Sequence, residues 1–160
     1  MLFGVFDGHG GDHVAKLTKD HFYNILIELE EFKAKDYQGA LEQAFCKMDE
    51  VARAQEYEED KDAREEDKLV DHVGCTACVL IITPDKIWCG NSGDSRGVLK
   101  RGNTAIALSW DHKPDQDEEK ARIEKAGHYV EHSRVNGDLA LSRAFGDFTF
   151  KKKEGLGVKE

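Results

Sequence analysis

The chain has no apolar run approaching the roughly 18 residues that a membrane-spanning helix needs. Residues 1–15 carry neither a charged n-region nor an apolar h-region, so they do not read as a secretory signal. Basic residues are in the minority, 23 Lys and Arg against 32 Asp and Glu, for a net charge of −9. Nucleic-acid backbones call for Lys/Arg stripes, so this balance argues against DNA or RNA as a partner. No internal repeat is visible. The four cysteines do not make a zinc set either. Cys75 and Cys78 form a C-x-x-C, but within an apolar run that reads as a strand, where residues three apart face opposite sides. No second Cys/His pair completes a tetrahedron. Reduced, buried cysteines are expected, and with them an intracellular setting, cytoplasmic or nuclear.

What is present suits one polar globular domain with a real core: 160 residues, 39% hydrophobic and 34% charged. Residues 2–6 read as a strand. From Asp12 to about Phe32, Val14, Leu17, His21, Ile25 and Leu29 recur at helical spacing, with Phe22 and Leu26 beside them. A second helix is expected from Asp36, a suitable N-cap, with Ala40, Leu41, Ala44, Phe45, Met48, Val51 and Ala52 on its apolar face. The acidic stretch 55–71 has no apolar stripe and is expected to be a solvated, mobile loop. Strand signals then dominate. Residues 75–83 and 86–90 flank the turn Pro84-Asp85, and 97–100 and 105–108 flank a turn at Gly102-Asn103, which together read as an antiparallel meander. A helix is expected from Gln116 to Ala126 with Gly127 as its C′ residue, then a strand over 128–135, a turn at Asn136-Gly137 and an apolar segment ending at Gly146-Asp147. Residues 151–160 are expected to be a disordered tail.

The densest chemical signal is Phe3-Gly4-Val5-Phe6-Asp7-Gly8-His9-Gly10-Gly11. An apolar strand stops at a carboxylate, and the glycines that follow let the backbone turn and approach a ligand. An Asp so held, beside a His, suits a hard metal ion with an acid–base partner nearby. Asp94 and Arg96 read as an ion pair at a strand end, Asp111 and His112 as a structural corner, and Arg143 as the partner of some carboxylate.

The order of blocks carries a further reading. After Asp7-Gly8-His9-Gly10-Gly11 come Gly74-Cys75-Thr76-Ala77, Gly93-Asp94-Ser95-Arg96, Asp111-His112-Lys113-Pro114 and Arg122-Ile123-Glu124-Lys125-Ala126-Gly127. Last comes Arg134 through Asp147, ending Ser142-Arg143-Ala144-Phe145-Gly146-Asp147. From about residue 2 to residue 151 the chain resembles the metal-dependent protein serine/threonine phosphatases of type 2C. The resemblance implies an α+β fold, a β-sandwich of two antiparallel sheets flanked by helices. It implies hydrolysis of phosphoserine and phosphothreonine in phosphoprotein substrates at a binuclear Mg²⁺/Mn²⁺ centre. Asp7 would bridge the metals, the Gly8 carbonyl would reach their shell, His9 would protonate the leaving oxygen, and Asp147 would join a third, weaker metal site.

The chain also departs from that family. The family has an earlier strand with an acidic ligand and a phosphate-gripping Arg, and later Asp-Gly and Asp-Asn blocks with further metal-binding aspartates. None has a counterpart here. Two carboxylates do not balance two divalent ions. The expectation is a catalytic domain truncated at both ends over residues 1–150, weakly active by itself, with exposed sheet edges that favour self-association. The alternative is a pseudophosphatase or regulatory binding module that keeps the scaffold without turnover.

Overall fold

A computed structural model describes residues 1–59 and 72–151, with side chains described through residue 54 and from residue 72 on. The architecture is α+β, and among the described residues every strand pairing is antiparallel. The chain divides into two compact units, one built on Phe6–Cys75 and Phe145–Lys152, the other on Met1–Val5 and Thr76–Ala144.

The first unit is mostly helical. Helix α1 spans His13–Glu28 and buries Val14, Leu17, Thr18, Phe22 and Leu26. The periodicity predicts one helix to about Phe32, but the chain turns extended at Leu29 (ψ 139°) and resumes as α2, Glu30–Lys33. Leu29 is buried, so a core contact takes precedence over a further helical turn. His21, at helical spacing but expected at the surface, is exposed, and the apolar face is completed by Thr18, whose hydroxyl donates to the Val14 carbonyl at 2.7 Å. Helix α3 spans Tyr37–Glu59. Asp36 caps it, Oδ1 accepting from the Gly39 amide at 3.1 Å. Ala40, Leu41, Ala44, Met48 and Ala52 are buried along its predicted face. Of the expected mobile loop 55–71, residues 55–59 continue α3 and the rest lies outside the described residues.

Helices α1 and α3 pack on each other and on a small sheet. That sheet contains β2 (Gly8–His9), β3 (Gly74–Cys75) and, numbered last in the chain, β10 (Phe145–Gly146), with β3 in the middle. Phe6, Phe22, Phe45 and Phe145 form the aromatic core, with ring centroids 5.3–6.4 Å apart. A short 3-10 helix, Phe148–Lys151, follows. Lys151, assigned from the sequence to a disordered tail, is ordered and ion-paired to Asp49, and residues 152–160 lie outside the described residues.

In the other unit β1 (Leu2–Val5), β4 (Ala77–Ile82) and β5 (Ile87–Ser92) form a sheet in the order β1-β4-β5. Thr76 interrupts the single strand expected over 75–83. Hairpin β6–β7 (Val98–Arg101 and Thr104–Ala107) is a separate two-stranded sheet, so the strands do not run as one meander. Helix α4, Asp117–Lys125, ends at Gly127, with His128 N–H donating to Ile123 O and Gly127 N–H to Glu124 O. The strand expected over 128–135 is a hairpin, β8 (Val130–Glu131) and β9 (Arg134–Val135), because His132 and Ser133 both take positive φ (52° and 59°) and reverse the chain. Among the described residues, no helix is long and apolar enough to cross a membrane.

Candidate functional site

The small sheet of the helical unit brings the sequence-predicted residues together. In its register His9 lies opposite Gly74 and Gly74 opposite Gly146, while Gly8 and Phe145 flank Cys75. The last strand therefore delivers Asp147 to the end of the sheet where β2 delivers His9. Their side chains meet above Gly74, His9 Nε2 lying 2.7 Å from Asp147 Oδ2. A Cβ on residue 74 would stand 2.5 Å from both His9 Nε2 and Asp147 Cγ and would collide with Asp147 Oδ2. Only glycine leaves room for the pair.

Asp147 is 2% exposed, whereas His9 keeps 28% of its side chain in solvent. A carboxylate buried so deeply needs a donor, and the imidazole supplies one. An ionised carboxylate only accepts, so the Nε2 that faces it carries a proton and donates it to Asp147. The local backbone is unusual. Gly146 and Asp147 both take positive φ, 75° and 52°, and the Asp147 amide donates to Val73 O at 3.0 Å. A non-glycine residue in the left-handed region is costly unless its surroundings over-determine it.

Asp7 and Gly8 are exposed at the mouth of this arrangement. Beneath it lies Cys75, fully buried. Burial pushes its thiol up to about 12, and the Asp7 and Asp147 carboxylates add to the rise, against a hydrogen bond with Thr18 that works the other way. Both carboxylates thus lie within electrostatic reach of one sulfur, and Cys75 stays a thiol.

Taken alone, this donor set does not fit two divalent ions. Hard cations take six or more oxygens, and here one Asp147 oxygen is already held by His9. Among the described residues no three His, Cys, Asp or Glu side chains converge as a metal site.

The remaining blocks fall in the other unit and build structure. Asp94 and Arg96, read as partners, each pair elsewhere: Asp94 with Lys113 at 2.5 Å, and Arg96 with Asp111 at 2.6 Å. His112 Nδ1 accepts from the Gly93 amide at 3.2 Å, so Asp111 and His112 do fix the corner before α4. Arg143 finds its carboxylate in Glu119, both nitrogens engaged at 2.6–3.0 Å, and Arg122 joins at 2.9 Å. Burial by itself would raise the Glu119 carboxyl; the two guanidiniums more than offset it and hold it at about 2. The cysteines are free thiols, with the Cys78 and Cys89 sulfurs 4.0 Å apart across β4–β5, a proximity that strand periodicity does not reveal.

Sequence reasoning missed the His9–Asp147 contact, the gap at Gly74 that permits it, and Asp49, a buried carboxylate beside the small sheet. The signal for Asp49 is present: it sits four residues after Phe45 and three before Ala52, on the face that is otherwise apolar.

Three comparisons bear on this geometry. The family model described as Protein phosphatase 2C matches residues 1–160. Protein phosphatase 2C 1 of Paramecium tetraurelia is 44% identical over 160 residues, 99% of this chain and 53% of that protein. Protein phosphatase 2C homolog 2 of Schizosaccharomyces pombe is 47% identical over 156 residues, 97% of this chain and 40% of that one. Among solved structures, a phosphatase from a pathogenic strain of Toxoplasma gondii aligns with a TM-score of 0.69 at 27% identity, covering 97% of this chain and 59% of that one. A C. elegans sex determining protein aligns at 0.73 and 27%, covering 94% and 36%. The chain thus spans about half the length, or less, of the curated relatives it matches.

Proposed function

Since the chain belongs to the protein phosphatase 2C family, we propose that it carries the proton-donor part of a site that hydrolyses phosphoserine and phosphothreonine monoesters in phosphoprotein substrates. The observation that carries this reading is His9 held against the buried Asp147 with part of its ring still in solvent. A Ser or Thr alkoxide is a poor leaving group, and a positioned acid contributes about 10²–10⁴-fold to its departure. Asp147 fixes the ring and stabilises its protonated form. We assign Asp147 to this task in preference to the metal role that the family resemblance implies, because its Oδ2 is engaged by the imidazole.

The family is generally magnesium- or manganese-dependent. Asp7 and the Gly8 carbonyl, exposed beside His9, would be this chain's contribution to such a site; among the described residues no three His, Cys, Asp or Glu side chains converge to complete it. An ion held there would lower the pKa of its bound water. The chain's own residues account for the departing side of the reaction.

The test is Mn²⁺-dependent release of phosphate from a phosphothreonine peptide. His9→Gln is expected to lower it by about 10²–10⁴-fold, and Asp7→Asn to abolish the Mn²⁺-dependent release. Release unchanged by His9→Gln would remove the imidazole from the chemistry. The incomplete ligand set favours a second reading, a scaffold that binds phosphoproteins without turnover. Binding of the peptide with no release at any Mn²⁺ concentration would select it. We further propose self-association through β1, the edge strand of its sheet, whose Phe3 and Val5 are 55% and 58% exposed.

A further inference from the structure

We propose that Asp49 of α3 is a positioning residue for His9, acting through Asp147; the proposal rests on the reading of His9 as proton donor. Asp49 touches neither residue of the pair directly in the contacts that define it. It is 4% exposed, and its Oδ1 accepts from the Gly146 amide at 2.9 Å. The same carboxylate takes the Lys151 ammonium at 2.9 and 3.0 Å. Gly146 immediately precedes Asp147, and Lys151 closes the 3-10 helix that follows it, whose first turn is tied back by Phe150 N–H donating to Asp147 O at 3.0 Å. One buried carboxylate therefore clamps both ends of the six-residue turn, Gly146 to Lys151, that carries Asp147.

The turn needs such a clamp. Gly146 takes its left-handed conformation freely, but Asp147 after it is a non-glycine residue at φ 52°, which persists only when the surroundings fix it. The Asp147 amide is fixed by Val73 O and the Gly146 amide by Asp49, and from the backbone so held the Asp147 carboxylate reaches His9. A buried carboxylate is expensive unless paired. Here its pairing is spent on the backbone that sets the catalytic geometry. A simple tether between α3 and the end of the described chain would require the lysine alone.

The experiment reads the His9 ring itself, by long-range ¹H–¹⁵N correlation on ¹⁵N-histidine-labelled protein at mildly alkaline pH, with His9→Gln for assignment. Wild type is expected to show two well-separated ring nitrogens, those of a fixed Nε2–H tautomer. Asp147→Ala is expected to draw them together, and Asp49→Ala to do the same while the α1/α3 methyl signals stay dispersed. Asp49→Asn keeps the acceptor for Gly146 and is expected to retain the wild-type ring signals. Asp49→Glu keeps the charge for Lys151 but moves the acceptor by a methylene and is expected to lose them. Wild-type ring signals in Asp49→Glu, or equal loss in Asp49→Asn and Asp49→Glu, overturn the proposal, and both comparisons stand even if Asp49→Ala does not fold. A ring that responds as expected in a protein whose phosphate release ignores His9→Gln would keep the clamp and discard the proton-donor reading.

Discussion

Gly74 is the residue on which the site closes. Its missing side chain is the volume in which His9 and Asp147 meet. Gly74→Ala is expected to cost about 1–3 kcal/mol through overpacking and to separate the pair; urea unfolding reads the first effect and the His9 ring signals the second. Glu119 sets a different test. Its carboxyl lies below the ordinary value of 4.5, at about 2, and is 7% exposed. A depressed carboxyl stabilises the fold above the unfolded pKa, and that share is lost as pH falls through the folded one. Glu119 ionisation is thus worth about 3 kcal/mol at neutral pH, lost between about pH 4.5 and 2. Urea midpoints of wild type and Glu119→Gln are expected to differ clearly near neutrality and to converge in acid. Thiol chemistry gives a third. Burial first of all pushes both Cys75 and Cys89 up to about 12, so alkylation of the native protein at mildly alkaline pH is expected to mark half-exposed Cys46 and to spare those two until urea is added. Mass mapping of the labelled peptides decides it.

At the scale of elements, the caps carry the helix boundaries. Asp36→Ala removes the acceptor for the Gly39 amide and is expected to lower stability by about 1 kcal/mol, read as a drop in thermal midpoint without change in the His9 signals. Asp36, the α3 stripe, Gly127 and the two strand-turn-strand hairpins were legible because each has a local cause: a side-chain acceptor, a 3.6-residue period, a turn dipeptide. What stayed hidden has a non-local cause. The break at Leu29 answers to a core contact. The reversal at His132-Ser133 uses neither glycine nor asparagine, so no turn signal marks it. Thr76 parts β3 from β4 inside an unbroken apolar run. The site divides in the same way. Asp7, Gly8 and His9 are adjacent in sequence and stand out as a motif. Asp147 lies 138 residues from His9, so its task depends on strand register, and no spacing along the chain encodes it.

At the scale of the molecule, the family fold is spread over two compact units, and the candidate chemistry lies wholly in the helical one. The other unit presents β1 at the edge of its sheet with two large apolar side chains outward. Among the described residues no strand pairs with that edge. Sedimentation is expected to show association that grows with concentration, and lysine at both Phe3 and Val5 is expected to abolish it while leaving the His9 signals unchanged. Association untouched by the double change would place the contact elsewhere.

The vacancy above residue 74 has a consequence for how sequences of this kind drift. A lineage that still relies on the imidazole and its carboxylate cannot accept any larger residue there, whereas one that has given up turnover is released from the constraint. The identity of that single codon, read beside positions 9 and 147, is therefore expected to mark the descendants that keep the pair in contact.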